Sequence, residues 1–445
     1  MAAFDGDHPP RRDLISDCVH CGFCLPTCPT YVLWGREADS PRGRIHLMAQ
    51  GLADEPLSDS MVGHFDACLG CMACVTACPS GVRYDQLITD TRAQVERGHP
   101  RPLAEAAHRS MIFSLFPYPR RLRLLRGPLR AYQASGLRTA LARSGLLDGP
   151  LARRLPRLAA MESLTPRLGR PVRLPTRVAA RGRRRAVVGM LTGCVQAAFF
   201  PEVNAATARV LSAEGCDVII PRDQGCCGAL SLHSGRRAEA RRFGARLLET
   251  FEAAGVDALV VNAAGCGSAL KEYGELFDGD RRHAARAAEL AGRVRDLSEI
   301  LVELGPAAPR HPLPVTIAYH DACHLGHAQG VRSQPRQLLA GIPGLRIREI
   351  ADPEICCGSA GIWNLLNPGP AGELGERKAR DVLATGARLL VTANPGCLMQ
   401  ISAAARRVSA DGKPLDVTHI DVAHTAQVLD ASLRGLPVDS LLRGL

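Results

Sequence analysis

The chain has 445 residues, more than one hydrophobic core usually serves, so two or three domains are expected. Hydrophobic residues make up 46% and aromatics only 4%, which points to layered α/β cores of Ala, Val, Leu and Ile. The net charge of +11 is local. Between Arg101 and Arg185 stand twenty arginines against three acids, Glu105, Asp148 and Glu162, a charge of +17 that leaves −6 for the rest and argues against a nucleic-acid-binding fold.

The chain opens on the polar Met1-Ala-Ala-Phe-Asp-Gly-Asp, without the apolar core of a secretion signal, so its 17 cysteines read as ligands in a reducing cytoplasm rather than as disulfides. No run approaches the 18 or more apolar residues of a membrane span, so contact with the cytoplasmic face of the inner membrane would be peripheral.

Residues 1–100 carry the densest cysteines. Cys18-Val-His-Cys21-Gly-Phe-Cys24-Leu-Pro-Thr-Cys28-Pro29 has the spacing C-x2-C-x2-C-x3-C-P, and Cys68-Leu-Gly-Cys71-Met-Ala-Cys74-Val-Thr-Ala-Cys78-Pro79 repeats it. Such runs hold the two [4Fe–4S] clusters of bacterial ferredoxins. Three close thiolates take three corners of one cubane, and the fourth, ahead of a turn-breaking proline, crosses to the other. The expected sets are Cys18, Cys21, Cys24 and Cys78 for one cluster, and Cys68, Cys71, Cys74 and Cys28 for the other. Structural zinc also uses C-x2-C pairs but has no use for a third spaced cysteine followed by C-P. Between the runs, Ser40-Pro41 reads as the N-cap and first residue of a helix to about Gln50, ended by Gly51. The domain so formed is similar to the helical ferredoxin domains of fumarate and succinate oxidoreductases. Arg42 and Arg44 either offset cluster charge or are solvated arginines at a helix start.

Residues 101–185 form an Arg/Pro-rich connector. His108-Arg-Ser-Met-Ile-Phe-Ser-Leu-Phe-Pro-Tyr-Pro119, followed by Arg120-Arg-Leu-Arg-Leu-Leu-Arg126, mixes apolar anchors with positive charge, as an interfacial membrane segment or a protein-docking surface does.

Two similar halves follow, 186–305 and 306–445. Cys194, Cys226, Cys227 and Cys266 recur as Cys323, Cys356, Cys357 and Cys397 at offsets of 129, 130, 130 and 131, which indicates an internal duplication. Each half reads as strand, Cys loop, helix, strand, Cys-Cys-Gly loop, helix, strand, Cys loop, helix. The strands are Val187 to Leu191, Val218 to Ile220 and Leu259 to Val261, then Val315 to Tyr319, Leu345 to Ile350 and Leu389 to Thr392. The sheets should be largely parallel, with the cysteine loops converging beyond the strands' carboxyl ends.

Adjacent cysteines followed by Gly (Cys226-Cys227-Gly228, Cys356-Cys357-Gly358) suit a ligand loop and make an awkward disulfide. Here the chain resembles the cysteine-rich, or CCG, domain family, which includes subunits of heterodisulfide reductase, anaerobic glycerol-3-phosphate dehydrogenase, lactate-utilisation proteins and glycolate oxidase. The heterodisulfide reductase motif ends in C-x2-C. Cys266-Gly-Ser-Ala269 and Cys397-Leu-Met-Gln400 lack that last cysteine, which argues against a disulfide-reducing site. Two readings of these eight thiols stay open: a four-thiolate cluster in each half, or no metal and a packed domain interface. Cys216 reads as a small buried hydrophobe, and His20, His320, His324 and His327 as local hydrogen-bonding residues.

No G-x-G-x-x-G, Walker A or H-E-x-x-H motif is present, so no flavin or nicotinamide site is expected on this chain and no catalytic residue is assigned. Cubane clusters carry one electron at a time, so FAD is expected on a partner subunit.

The overall expectation is a multidomain protein: an N-terminal α-helical dicluster ferredoxin domain followed by two tandem α/β, parallel-sheet CCG domains. Ser40-Pro-Arg-Gly-Arg-Ile45, Cys78-Pro-Ser-Gly-Val82, Thr192-Gly-Cys-Val-Gln196, Asn204-Ala-Ala-Thr-Ala-Arg-Val-Leu211, Lys271-Glu-Tyr-Gly274 and Thr392-Ala-Asn394 resemble the glycolate oxidase iron–sulfur subunit family along nearly the whole chain, the connector excepted. That resemblance implies a hetero-oligomeric complex with FAD-binding subunits that oxidise glycolate to glyoxylate and pass electrons to a respiratory acceptor such as quinone. A lactate, a glycerol-3-phosphate or a heterodisulfide-reductase-like role is the alternative.

Overall fold

The computed structural model describes residues 3–53, 55–144, 154–169, 171–410 and 420–442. The N-terminal part is helical. Helix Pro41–Leu52 starts as expected, with Ser40 Oγ accepting the Gly43 N–H at 3.0 Å and Pro41 in its first turn. It runs past Gly51, which the sequence reading took as its end. A Cβ on Gly51 would lie 2.6 Å from the Phe4 ring, so this glycine serves close packing and does not stop the helix. Helices Asp59–Ala67 and Tyr84–Gly98 pack beside it, burying Met48, Phe65, Leu87, Ile88 and Val95 around the thiols of both cysteine runs. Each such buried side chain contributes roughly 1.5–3 kcal/mol.

The connector is helical where described: Leu103–Leu115, Pro119–Ala134, Leu137–Arg143 and Pro156–Ser163. Among the described residues no helix is long and apolar enough to cross a membrane.

Two sheets follow. Strands β1 (Arg177–Val178), β2 (Ala186–Met190), β3 (Cys216–Ile219), β4 (Ala258–Val261) and β5 (Val294–Asp296) lie in the order β1-β3-β2-β4-β5, all parallel except the antiparallel β1 edge. Strands β6 (Thr316–Tyr319), β7 (Arg346–Glu349), β8 (Leu389–Thr392) and β9 (Asp421–His424) lie in the order β7-β6-β8-β9, all parallel. The second order reproduces β3-β2-β4-β5, as a duplication should. The expected strands are present within one or two residues; each half adds a fourth, β5 or β9, and the first sheet also gains the edge strand β1, none of which the sequence reading included.

The halves share one core. Val188, Met190 and Val260 of the first sheet and Ile317, Tyr319 and Val391 of the second belong to a single buried cluster. Helices Pro201–Ala213 and Thr425–Leu433 close it, with Arg209 clamping Asp430 through bonds of 2.8 and 2.7 Å. In each sheet the chain turns to one side after the second strand position and to the other after the first, so a crevice opens beyond β2 and β4, and again beyond β6 and β8.

Candidate metal centres

Both N-terminal cysteine runs wrap through paired left-handed turns. In the first run His20 (φ 53°) and Gly22 (φ 86°) take this conformation, and in the second Gly70 (φ 65°) and Met72 (φ 65°) take it at the matching positions. A left-handed His and Met are costly. Their recurrence at equivalent places shows that the runs share one conformation.

Cys28, Cys68, Cys71 and Cys74 line one cavity together with Arg44 and Tyr84. The fourth cysteine of the first run therefore sits with the first three of the second. Cys18, Cys24 and Cys78 border the same helical core, and Cys21 is exposed between Val19 and Phe23, themselves 68% and 66% exposed. Burial pushes the Cys24 thiol up to about 11 and Cys74 well above its ordinary value. Cys68 moves the other way: burial opposes its ionisation, but Arg44 and Arg92 outweigh it, helped by the Gly70 N–H at 3.4 Å and the Tyr84 hydroxyl at 3.6 Å. Arg44 is 1% exposed, donating to His64 O at 2.6 Å and Thr30 Oγ1 at 3.1 Å, with Asp39 at 3.6 Å. It is thus a buried counter-charge. Arg42 instead pairs with Glu37 near the surface and donates to His20 O at 2.8 Å.

In the first α/β half the three cysteine loops converge. Cys194 directly precedes helix Val195–Phe199, Cys226 Sγ lies 3.8 Å from Cys194 Sγ, and Cys227 contacts Cys226 and Cys266. The second half repeats this, with Cys356 against Cys323 and Cys357, and Cys357 against Cys397. Hydrogen bonds from neighbouring thiols draw Cys227 and Cys357 well below the usual thiol value, while Cys226, Cys266, Cys356 and Cys397 are driven well above it by those contacts and by burial. Four convergent sulfur donors, all buried except the half-buried Cys266, are soft ligands that fit an iron–sulfur centre. Gly228 (φ 78°) and Gly358 (φ 85°) take left-handed turns, and a Cβ on them would meet Ala240 O at 3.0 Å and Ala371 O at 2.8 Å. These glycines bring the following helix against the thiols.

At the missing fifth-cysteine positions, Ala269 is buried in the apolar core, and Gln400 is tied to Asn364 and Ala371 O at 3.0 and 2.7 Å. Neither half offers a fifth sulfur there. Cys216 is fully buried among apolar side chains, as expected.

The helical domain docks against the second quartet. Cys71 and Cys323 share a buried cluster with Leu69, Cys356 and Trp363. His324 Nε2 bonds Gly70 O at 2.8 Å, Trp363 Nε1 donates to Asp66 O at 3.2 Å, and Arg92 donates to Cys68 O and to His233 O. His327 Nδ1 meets Thr76 Oγ1 at 2.7 Å. His324 and His327 are thus interdomain hydrogen-bonding residues. His320 bonds Thr392 Oγ1 at 3.0 Å but also stands against Cys357 and Cys397, a proximity the sequence reading missed. It missed Arg92 and Tyr84 as well, since no motif marks either residue.

Sequence profiles match the same regions: a 4Fe-4S dicluster domain at residues 14–82, the linker region of glycolate oxidase iron-sulfur subunits at 104–165, and cysteine-rich domains at 188–271 and 317–402. Fold and cysteines together define an iron–sulfur subunit of an oxidoreductase complex. The chain is 38% identical to a probable glycolate oxidase iron-sulfur subunit of Bacillus subtilis, over 89% of this chain and 90% of that one. It is 34% identical to the glycolate oxidase iron-sulfur subunit of Escherichia coli, over 88% and 91%. It belongs to the glycolate oxidase iron–sulfur subunit family. Lactate utilization protein A of Shouchella clausii is 32% identical over 55% of this chain and 98% of that protein.

Proposed function

We propose that this chain is the electron-transfer subunit of a flavin-dependent 2-hydroxy-acid dehydrogenase, relaying electrons from a partner FAD subunit that oxidises glycolate to glyoxylate toward a respiratory acceptor. The assigned ligands are Cys18, Cys21, Cys24 and Cys78 for one [4Fe–4S] cluster, Cys68, Cys71, Cys74 and Cys28 for the other, and the CCG quartets for further centres. When bound, these centres would supply one-electron steps that split the two-electron oxidation of a hydroxy acid. The domains are taken as 1–100, 101–185, 186–305 and 306–445.

The observation that carries this reading is the order in which the thiols lie. Exposed Cys21 stands at one end, Cys28, Cys68, Cys71 and Cys74 surround a cavity further in, and Cys71 adjoins Cys323 of the second CCG quartet. Such a succession runs from surface to interior. Arg44 and Arg92 draw the Cys68 thiol below its ordinary value against its burial, and the docked loops exclude water from the inner set.

The complex with its FAD-binding subunits, assayed on glycolate and on lactate with an artificial electron acceptor, tests this. Reduction of the acceptor with glycolate, lost in Cys71→Ser without loss of the flavin's own reduction, is the expected result. Acceptor reduction that is unchanged in Cys71→Ser overturns the relay. A clear preference for lactate would favour the lactate-utilisation reading that the Shouchella clausii relative raises.

A further inference from the structure

We infer that the second CCG half binds its iron through an imidazole as well as thiolates, with His320 Nε2 joining Cys357 and Cys397 on one metal ion. This rests on the reading that the CCG halves hold iron–sulfur centres and gives the two halves different chemistry.

His320 lies just beyond the carboxyl end of β6, fully buried. Its Nδ1 is fixed at 3.0 Å by Thr392 Oγ1 at the end of β8, and Nε2 is a buried polar atom with no hydrogen-bond partner. Native proteins rarely leave such an orphan without a reason. The donor atoms of His320, Cys357 and Cys397 all lie within 4.8 Å of one another, and all three residues are buried. Bonds of about 2.3 Å to sulfur and about 2.0 Å to nitrogen bring ligand atoms to within about 4 Å of each other around one ion, so a small inward movement suffices. A metal-binding histidine usually has one ring nitrogen held by a hydrogen bond and the other left for the metal, and His320 shows that division between Nδ1 and Nε2.

The first half cannot do this. At the offset of 129 that relates Cys194 to Cys323, His320 corresponds to Leu191, which is buried in the apolar cluster around Cys227. The first centre is therefore all-thiolate and the second mixed. The mixed site is also the one that adjoins Cys71 of the dicluster domain, so the imidazole stands at the junction between the two parts.

The test uses the whole complex, purified anaerobically with 57Fe and 15N-histidine. Pulsed EPR should show a directly bound histidine nitrogen, and Mössbauer spectra an iron site distinct from the all-thiolate ones. Both features should vanish in His320→Leu, which installs the first half's residue, while the other centres' signals stay. The wild-type nitrogen coupling stands by itself if that variant folds poorly. Absence of a bound nitrogen in the wild type, or a nitrogen coupling that survives His320→Leu, overturns the assignment, as does stoichiometric zinc in place of iron at this site. Cys357→Ser separates the two levels. If its iron content equals the wild type's, the second CCG half holds no iron and the underlying reading fails there. If iron falls in the variant while the wild type shows no coupled histidine nitrogen, only the His320 assignment fails.

Discussion

Cys28 and Arg44 show how single side chains divide the labour of a cluster site. Cys28 ends the first cysteine run in sequence but faces the cavity of the second, so Cys28→Ser is expected to abolish the same spectroscopic signal as Cys68→Ser. Combining the two should add little, and Cys78→Ser should behave like Cys18→Ser. Loss of both clusters' signals in the Cys28/Cys68 double variant, where each single loses one, would show that the runs do not cross. Arg44 is the buried cation beside Cys28 and Cys68, and its guanidinium also faces the buried Asp39. Arg44→Met leaves Asp39 with only His64 at 2.7 Å and should destabilise the protein by about 3 kcal/mol, because an uncompensated buried charge remains. The midpoint potential of that cluster should fall as well, since a reduced cluster loses its nearest positive charge. Anaerobic denaturation and redox titration check the two effects separately, and an unchanged potential would remove Arg44 from the cluster's electrostatics.

At the scale of elements, the end of β5 carries a pH dependence. Asp296 caps helix Leu297–Leu304 through a capping box with Glu299, and burial raises its carboxyl from 3.8 to about 6 despite the bond from the Ser298 N–H. Its folded value exceeds its unfolded one, so stability falls as pH rises from about 4 through about 6 and stays lower above. Asp296→Asn keeps the cap acceptor without the charge. It should remove this slope and add about 2 kcal/mol at pH 7, measured by denaturant titration across that range. A slope unchanged in the variant would locate the titration elsewhere. This strand also marks where sequence reading stops. The strands β2, β4, β6 and β8 are runs of buried apolar residues and were legible, whereas β5 is Val-Arg-Asp, three residues whose pairing with β4 is fixed only by the tertiary fold. The cysteine runs were legible because their spacing is covalent and local. His320 was not, since Cys357 and Cys397 are brought to it by separate loops of one sheet. Gly51 misled because a glycine near a helix end usually stops the helix, and only the neighbouring Phe4 ring explains why it sits inside.

For the whole molecule, the open question set by charge is what the arginine-rich connector meets. Helix Pro119–Ala134 turns Leu122 and Arg126 inward, Arg126 donating to Ala198 O and Gly169 O, so only part of its charge is available. Arg120, Arg121, Arg123 and Arg130 face solvent, with Leu124 and Leu125 as the only exposed leucines on this helix. Four cations near anionic lipid would contribute about 4 kcal/mol, enough for reversible contact. An interfacial helix, however, needs a continuous apolar face to sink into the lipid, and this helix has spent Leu122 on its own protein. A mixed surface of arginines and two leucines instead fits the composition of a protein interface, where Arg is enriched and apolar anchors sit within a polar rim. The Arg120 pair with Asp223 does not alter this, since both side chains are largely exposed and such pairs contribute about 1 kcal/mol or less. Reversing charge at Arg120, Arg121 and Arg123 to Glu should therefore separate the chain from its partner subunits in size-exclusion runs at physiological salt, while binding of the free chain to anionic vesicles stays as it was. If the complex remains whole and leaves the vesicles instead, the arginines face lipid, and the connector is the molecule's hold on the membrane.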